Sequence, residues 1–166
     1  MATPSNVYFD SPLGPVLIQG SKRGVSRIKF VTKMGESDPI PSDEVIECLI
    51  QLKEYFAGER EEFDLRLDYG KASAFYQEVW RLVRSIPHGH TRTYSDIANT
   101  IDRPHASRAV GQANGHNPFM IVVPCHRVIG KDGALTGYAH GLSKKEALLA
   151  LENPVRYKRQ ASLFKV

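Results

Sequence analysis

The stretch VYFDSPLGPVLIQGSKRGVSRIKFV (residues 7–31) limits the fold more than any other part of the chain. Short runs rich in β-branched and aromatic residues are cut by SPLGP and GSKRG, clusters of the residue types that make tight turns. Turns this short join antiparallel neighbours, so the segment reads as a three-stranded antiparallel meander. MGESDPIPSDE (34–44) is a polar, proline-rich connection. From Ser42 the apolar period lengthens. Val45, Cys48, Leu49, Leu52 and Phe56 fall on one helical face, with Ser42 placed to cap the helix and Gly58 to stop it. Cys48 lies on that stripe and reads as core.

FDLRL (63–67) alternates like a pairing or edge strand, and DYGKAS (68–73) is a polar linker. The expected division is therefore an N-terminal α/β unit, residues 1–70, and a second unit, residues 71–166. The second is mostly helical, which makes the whole chain α+β. Phe75, Val79, Leu82, Val83 and Ile86 make one helix face that ends at IPHG. Thr93 and Asp96 form a capping box before IANTI. Asp102-Arg103-Pro104 breaks that helix, and SRAVGQAN (107–114) opens another, which makes a helix-turn-helix. From Met120 the chain is apolar and extended as far as Pro124. Lys131-Asp132-Gly133 is a turn, and Ser143 with Glu146 is a second capping box opening a helix through Leu151.

Charge separates the halves. Residues 1–70 carry a balance of −4 and residues 71–166 a balance of +8. A basic second half points to a polyanionic partner, and the tail VRYKRQ (155–160) adds to it. No apolar run approaches the ~20 residues that span a bilayer. The first ten residues lack the pattern of a secretory signal. The two cysteines, Cys48 and Cys125, stand far apart, and the histidines form no ligand spacing with either. No metal site is expected, no nucleotide-cofactor motif is present, and a reduced, cytoplasmic setting is expected, nuclear if the cell has a nucleus.

VVPCHRVIG (122–130) places one thiol among apolar residues, with an imidazole and a guanidinium after it. A free thiol with a pKa near ~8.5 is a poor nucleophile at neutral pH. Pro124 suits the first turn of a short helix, whose N–H groups favour an anion. His126 is placed to take the proton and Arg127 to add positive potential. Neighbouring side chains do not face each other in regular structure, so Cys125 and His126 need a turn or a bridging water. The imidazole also needs an orienting group, for which Glu152 and Asp132 are both candidates. Ala106, Ser107, Ala109, Gly111 and Ala113 give the second helix a smooth face suited to close approach to a nucleic-acid backbone, and Arg108 projects from it. Asn117 reads as a hydrogen-bonding residue between the helix pair and the Cys125 segment. TGYAHG (136–141) reads as a pocket wall for a flat ligand.

Taken together, RAVGQANGHNPFMIVVPCHRVIG (108–130), TGYAHGLSKKEALLALE (136–152) and FYQEVWRLVRSIPHGHTRTYSDIA (75–98) resemble the O6-alkylguanine-DNA alkyltransferases. The likeness covers about half the chain; the first 70 residues match the family only in layout. The resemblance implies repair of O6-alkylguanine, and of O4-alkylthymine, by irreversible transfer of the alkyl group to Cys125, once per molecule and without a cofactor. It implies that His126, through a water, takes the thiol proton, that Glu152 orients His126, and that Tyr94 serves guanine N3. It implies that Arg108 replaces a flipped nucleotide while the helix pair, with Thr93, Ala106, Ser107, Ala109 and Gly111, grips the minor groove of double-stranded DNA. The backbones of Cys125, Val128 and Ala139 would read the base, Tyr138 and His140 would line its pocket, and Asn117 would tie the DNA-binding unit to the Cys125 segment. Two departures stand out. Ala139 replaces a hydroxyl found in some members, and His140 stands where glycine is usual, which bears against large alkyl groups. A monomer is expected, with cooperativity on DNA left open. A Cys–His–Glu hydrolase, a non-reacting damage sensor and a sequence-specific regulator are the competing readings.

Overall fold

The protein is described by a computed structural model covering residues 3–157. Residues 158–160 of the basic tail lie outside the described residues. Two compact units are present, one formed by the described residues up to Lys71 together with Pro118–Met120, the other by Ala72–Asn117 with the described residues from Ile121 onward.

In the first unit, β1 (Ser5–Ser11), β2 (Gly14–Ser21) and β3 (Gly24–Phe30) form the antiparallel meander in the order β1-β2-β3. The register pairs Val7 with Ile18, Phe9 with Val16 and Ile18 with Ile28. Strand side chains alternate between faces, so these residues share one face, and all are buried. Helix α1 (Asp43–Phe56) covers it with Val45, Cys48, Leu52 and Phe56 of the expected stripe, plus Gln51 and Tyr55, while Leu49, also expected there, is only half-buried. Gly24 adopts φ +134°, and a Cβ there would lie 2.7 Å from the Arg66 carbonyl oxygen. Only glycine fits this turn.

The 63–67 segment is not a strand. Only Leu67 makes a bridge, parallel, to Val25. The Gln51 side chain takes the backbone of Asp64 at both ends, donating from Nε2 to its carbonyl at 3.1 Å and accepting its N–H at 3.0 Å. Those groups are thereby lost to a ladder. The added partner for β3 is instead Pro118–Met120, where the Ile28 N–H donates to Pro118 O at 2.8 Å and Tyr69 packs edge-on against Phe119.

The second unit comprises α2 (Ala74–Arg84), β4 (Arg92–Thr93), α3 (Tyr94–Thr100), α4 (Ser107–Gly115), a 3-10 turn Cys125–Arg127, β5 (Val128–Ile129), a second 3-10 turn Lys131–Gly133 and α5 (Leu142–Glu152). Thr93 and Asp96 make both bonds of the expected capping box. Trp80 Nε1 donates to Ala113 O at 2.7 Å, which fixes α2 against α4, and α3 and α4 pack on one another. The parallel pair β4–β5 sets Arg92 beside Val128 and Thr93 beside Ile129. That pairing delivers Tyr94, the first residue of α3, to the Cys125 segment.

Two expectations fail here. The run to Pro124 is not extended, because Ile121 adopts φ +73°. The chain leaves the edge of β3 at Met120 and reverses at once into the Cys125 turn. A β-branched residue in the left-handed region is strained. Ser143 and Glu146 form no capping box either. Gly141, at φ +95° after a turn closed by its N–H on Tyr138 O, already occupies the N-cap, so Ser143 falls inside the helix.

Candidate active site

Cys125 heads the 3-10 turn and is buried. The C-terminal end of α4 and the residues after it contribute to holding it. Asn114 Nδ2 donates to Cys125 O at 3.2 Å, and Asn117 Nδ2 donates to Val123 O at 2.7 Å while its amide also bonds the thiol. Burial pushes the Cys125 thiol up. The Asn117 amide, the Lys145 ammonium and the N–H groups of Cys125 and His126 pull in the opposite direction. The helix-start N–H groups thus act as expected, but Arg127 does not. Its Nε and Nη2 donate to Glu152 at 2.7 and 2.9 Å and its Nη1 to Ile86 O at 2.6 Å. The positive charge acting on the sulfur comes from Lys145.

Of the two candidate orienting groups, only Glu152 meets His126. His126 Nε2 meets Glu152 Oε2 at 2.7 Å, both side chains almost fully buried, while Asp132 sits on an exposed 3-10 turn. Burial holds His126 below its usual range, so the imidazole is neutral, against the pull of Glu152. Burial pushes the Glu152 carboxyl up, but His126 and Arg127 together hold it well below the usual carboxylate range. His126 Nδ1 is buried and has no partner among the described residues. An imidazole fixed through one nitrogen with the other free is arranged to receive a proton.

Tyr94 Oη donates to Thr136 O at 3.1 Å, and burial raises its pKa. The same carbonyl accepts from Lys145 Nζ at 2.9 Å, and that ammonium also donates to Val128 O at 2.7 Å and towards Gly137 O at 3.4 Å. Burial lowers Lys145 to about 8. Lys145 thus joins the 136–141 loop to the Cys125 segment. Tyr138 and His140 of the loop meet edge to face at 5.5 Å, and Tyr138 Oη is buried without a partner among the described residues. Ala139 is exposed.

On α4, Arg108 is exposed, Ser107 Oγ lies 3.4 Å from Ser95 Oγ of α3, Ala106 is the N-cap, and Ala109 is half-buried. Gly111 faces Tyr94, whose ring would stand 3.8 Å from a Cβ there. Thr93 and Tyr94 begin α3 nearby. Sequence reasoning missed Lys145 and Asn114. Lys145 lies three, four and seven residues before Leu148, Leu149 and Glu152, so the helical period itself put it on the buried face. Asn114, three residues after Gly111, occupies the same face of α4. Among the described residues no cluster of His, Cys, Asp and Glu could hold a metal ion, and no helix is long and apolar enough to cross a membrane.

Residues 74–154 match the DNA binding domain of 6-O-methylguanine DNA methyltransferase, and residues 6–69 match its ribonuclease-like domain. The chain belongs to this family. A methylated-DNA–protein-cysteine methyltransferase of Methanosarcina barkeri is 46% identical over 155 residues, 88% of this chain and 97% of the relative. The Mycobacterium tuberculosis protein of the same name is 45% identical over 151 residues, 87% of this chain and 89% of the relative. Among solved structures, M. tuberculosis OGT in complex with DNA superposes with a TM-score of 0.79 at 42% identity, covering 95% of this chain and 98% of that one. The structure of M. tuberculosis O6-methylguanine methyltransferase gives 0.80 at 43% identity, over 90% of this chain and 93% of that one. The meander-plus-helix unit and the helical unit are thus those of the methyltransferase family.

Proposed function

We propose that this chain repairs double-stranded DNA by moving the alkyl group of O6-alkylguanine, and of O4-alkylthymine, onto Cys125. The observation that carries the reading is the buried His126–Glu152 pair next to the buried Cys125, with His126 Nδ1 unpartnered among the described residues. The thiol proton passes through a water to His126 Nδ1, and Glu152 stabilises the imidazolium. Sulfur attacks the alkyl carbon, the S–C bond forms, the C–O6 bond breaks, and guanine leaves with Tyr94 supporting N3. The product thioether has no leaving group that water can displace, so each molecule acts once. The Val128 carbonyl and the backbone about Ala139 orient the base, and Tyr138 and His140 flank it.

Arg108, with the small residues of α4, fits a minor-groove grip on DNA with the target nucleotide extruded. The free thiols of Cys48 and Cys125 suit a reducing cytoplasm. The test counts O6-methylguanine lost from a duplex against protein added. One lesion per protein molecule supports the reading; many lesions per molecule mean a hydrolase, and none means a sensor or regulator. Arg108→Ala should slow repair of duplex DNA by about tenfold or more, since unstacking costs a few kcal/mol, and leave reaction with free O6-methylguanine base near wild type. Equal losses on both would remove the role in extrusion.

A further inference from the structure

We infer that Tyr138 is a positioning residue whose hydroxyl donates a hydrogen bond to the water that links the Cys125 thiol to His126. The inference deepens the alkyl-transfer reading above and rests on it. The titratable groups that act on the sulfur or on its base are His126 and Arg127 of the turn, Lys145 and Glu152 of α5, Tyr94 of α3 and Tyr138 of the 136–141 loop. Most of their polar ends are engaged. Arg127 and Glu152 hold each other, Lys145 donates to backbone carbonyls, and Tyr94 donates to Thr136 O. Within this group, the polar atoms buried without a partner among the described residues are His126 Nδ1 and Tyr138 Oη.

Tyr138 is half-buried as a residue, yet its Oη is shut from solvent, so the hydroxyl points into the protein. Its backbone is pinned on both sides. Lys145 donates towards Gly137 O at 3.4 Å, and Tyr138 O accepts the Gly141 N–H at 3.0 Å. The charges of Cys125 and Glu152 both reach the hydroxyl, but it bonds to neither. A polar tip that feels a thiolate and a carboxylate without touching either suits one intervening water. A buried donor with no acceptor is costly, and one water removes that cost for Tyr138 and for His126 Nδ1 together.

The protons fix the direction of each bond. Burial pushes the Tyr138 phenol well above its usual range, so it keeps its proton and donates. His126 Nε2 holds its proton towards Glu152, so the neutral Nδ1 accepts. At rest the water accepts from the thiol and from Tyr138, and donates to Nδ1. In the relay the S–H proton passes to the water and one water proton passes to Nδ1. The water stays neutral, now donating to the thiolate and accepting from the imidazolium. The Tyr138 bond is the same in both states, so it holds the water through the transfer. A water that accepts from Tyr138 also donates more strongly to sulfur.

Two rates are measured on the full chain, wild type and Tyr138→Phe: alkylation of Cys125 by iodoacetamide across pH without DNA, and removal of O6-methylguanine from a duplex at neutral pH. Phenylalanine keeps the ring and its contact with His140 and deletes only the hydroxyl. The variant should lose about tenfold in both rates at neutral pH, the size of one hydrogen bond in a charged network. The midpoint of its iodoacetamide profile should move up by about one pH unit. Its rate on the alkaline plateau should equal wild type, because the thiol ionises there without the relay. A loss on the duplex alone, with an unmoved iodoacetamide profile, would mean that Tyr138 acts only on the base and would overturn the inference. A variant that lowers both rates at every pH, the sign of a distorted pocket, would overturn it too, as would one that lowers neither. If wild type reacts with iodoacetamide but removes no O6-methylguanine, the alkyl-transfer reading fails, and the shift of the midpoint still decides on Tyr138.

Discussion

Cys125→Ser should fold, bind duplex DNA and remove no O6-methylguanine. The change deletes the atom that accepts the alkyl group, so no slower route remains inside the site. Deleting a nucleophile in an enzyme with residual routes costs on the order of 10⁶ in rate; here the loss should be complete. The fold should tolerate the change, since serine is smaller than cysteine and its hydroxyl can take the bond that the Asn117 amide makes to the thiol. A gel-shift titration and a count of residual lesions check both halves. Loss of binding along with transfer would mean that Cys125 supports the helix pair and not only the chemistry.

Glu152→Gln should cost both activity and stability. The carboxylate closes three bonds, from His126 Nε2 and from Arg127 Nε and Nη2. Removing one member of a buried ionic group leaves the rest uncompensated, at about 3–5 kcal/mol. The amide can still accept from Arg127, which puts the expected loss at the lower end of that range. Transfer should fall by about 10²-fold or more, because a positioned general base contributes roughly 10²–10⁴.

The same residue sets an acid limit. Its folded pKa lies below the ordinary value of about 4.3, so the unfolded chain takes up the proton first as pH falls. The contribution is fully present above about pH 5 and is lost as pH drops further, towards the depressed folded value. Urea unfolding followed by the single tryptophan, Trp80, should show wild type losing stability from pH 7 to pH 4 more steeply than Glu152→Gln. Parallel slopes would mean that the carboxylate is not held by His126 and Arg127.

Local patterns in the sequence were reliable where one force acted alone. The meander, the α1 stripe and the Thr93–Asp96 capping box each follow from alternation, period or a single cap. The choice between Glu152 and Asp132 as the partner of His126 needed tertiary structure, because residues apart in sequence meet only once the chain has folded. Expectations failed where a distant group claimed the backbone. Gln51 took Asp64 out of a strand, Ile121 bent an apolar run, and Gly141 started α5 ahead of Ser143. Arg127 looked like the cation for the thiolate because it is near in sequence. Glu152 holds it, and Lys145, twenty residues on, carries that charge instead.

The most direct test of the account is intact and peptide-level mass spectrometry after incubation with a duplex carrying O6-methylguanine. One methyl group per protein molecule, located on the peptide containing Cys125 and absent from that containing Cys48, is the predicted result. Lesion loss without a mass gain, or a methyl group on any other residue, would contradict it.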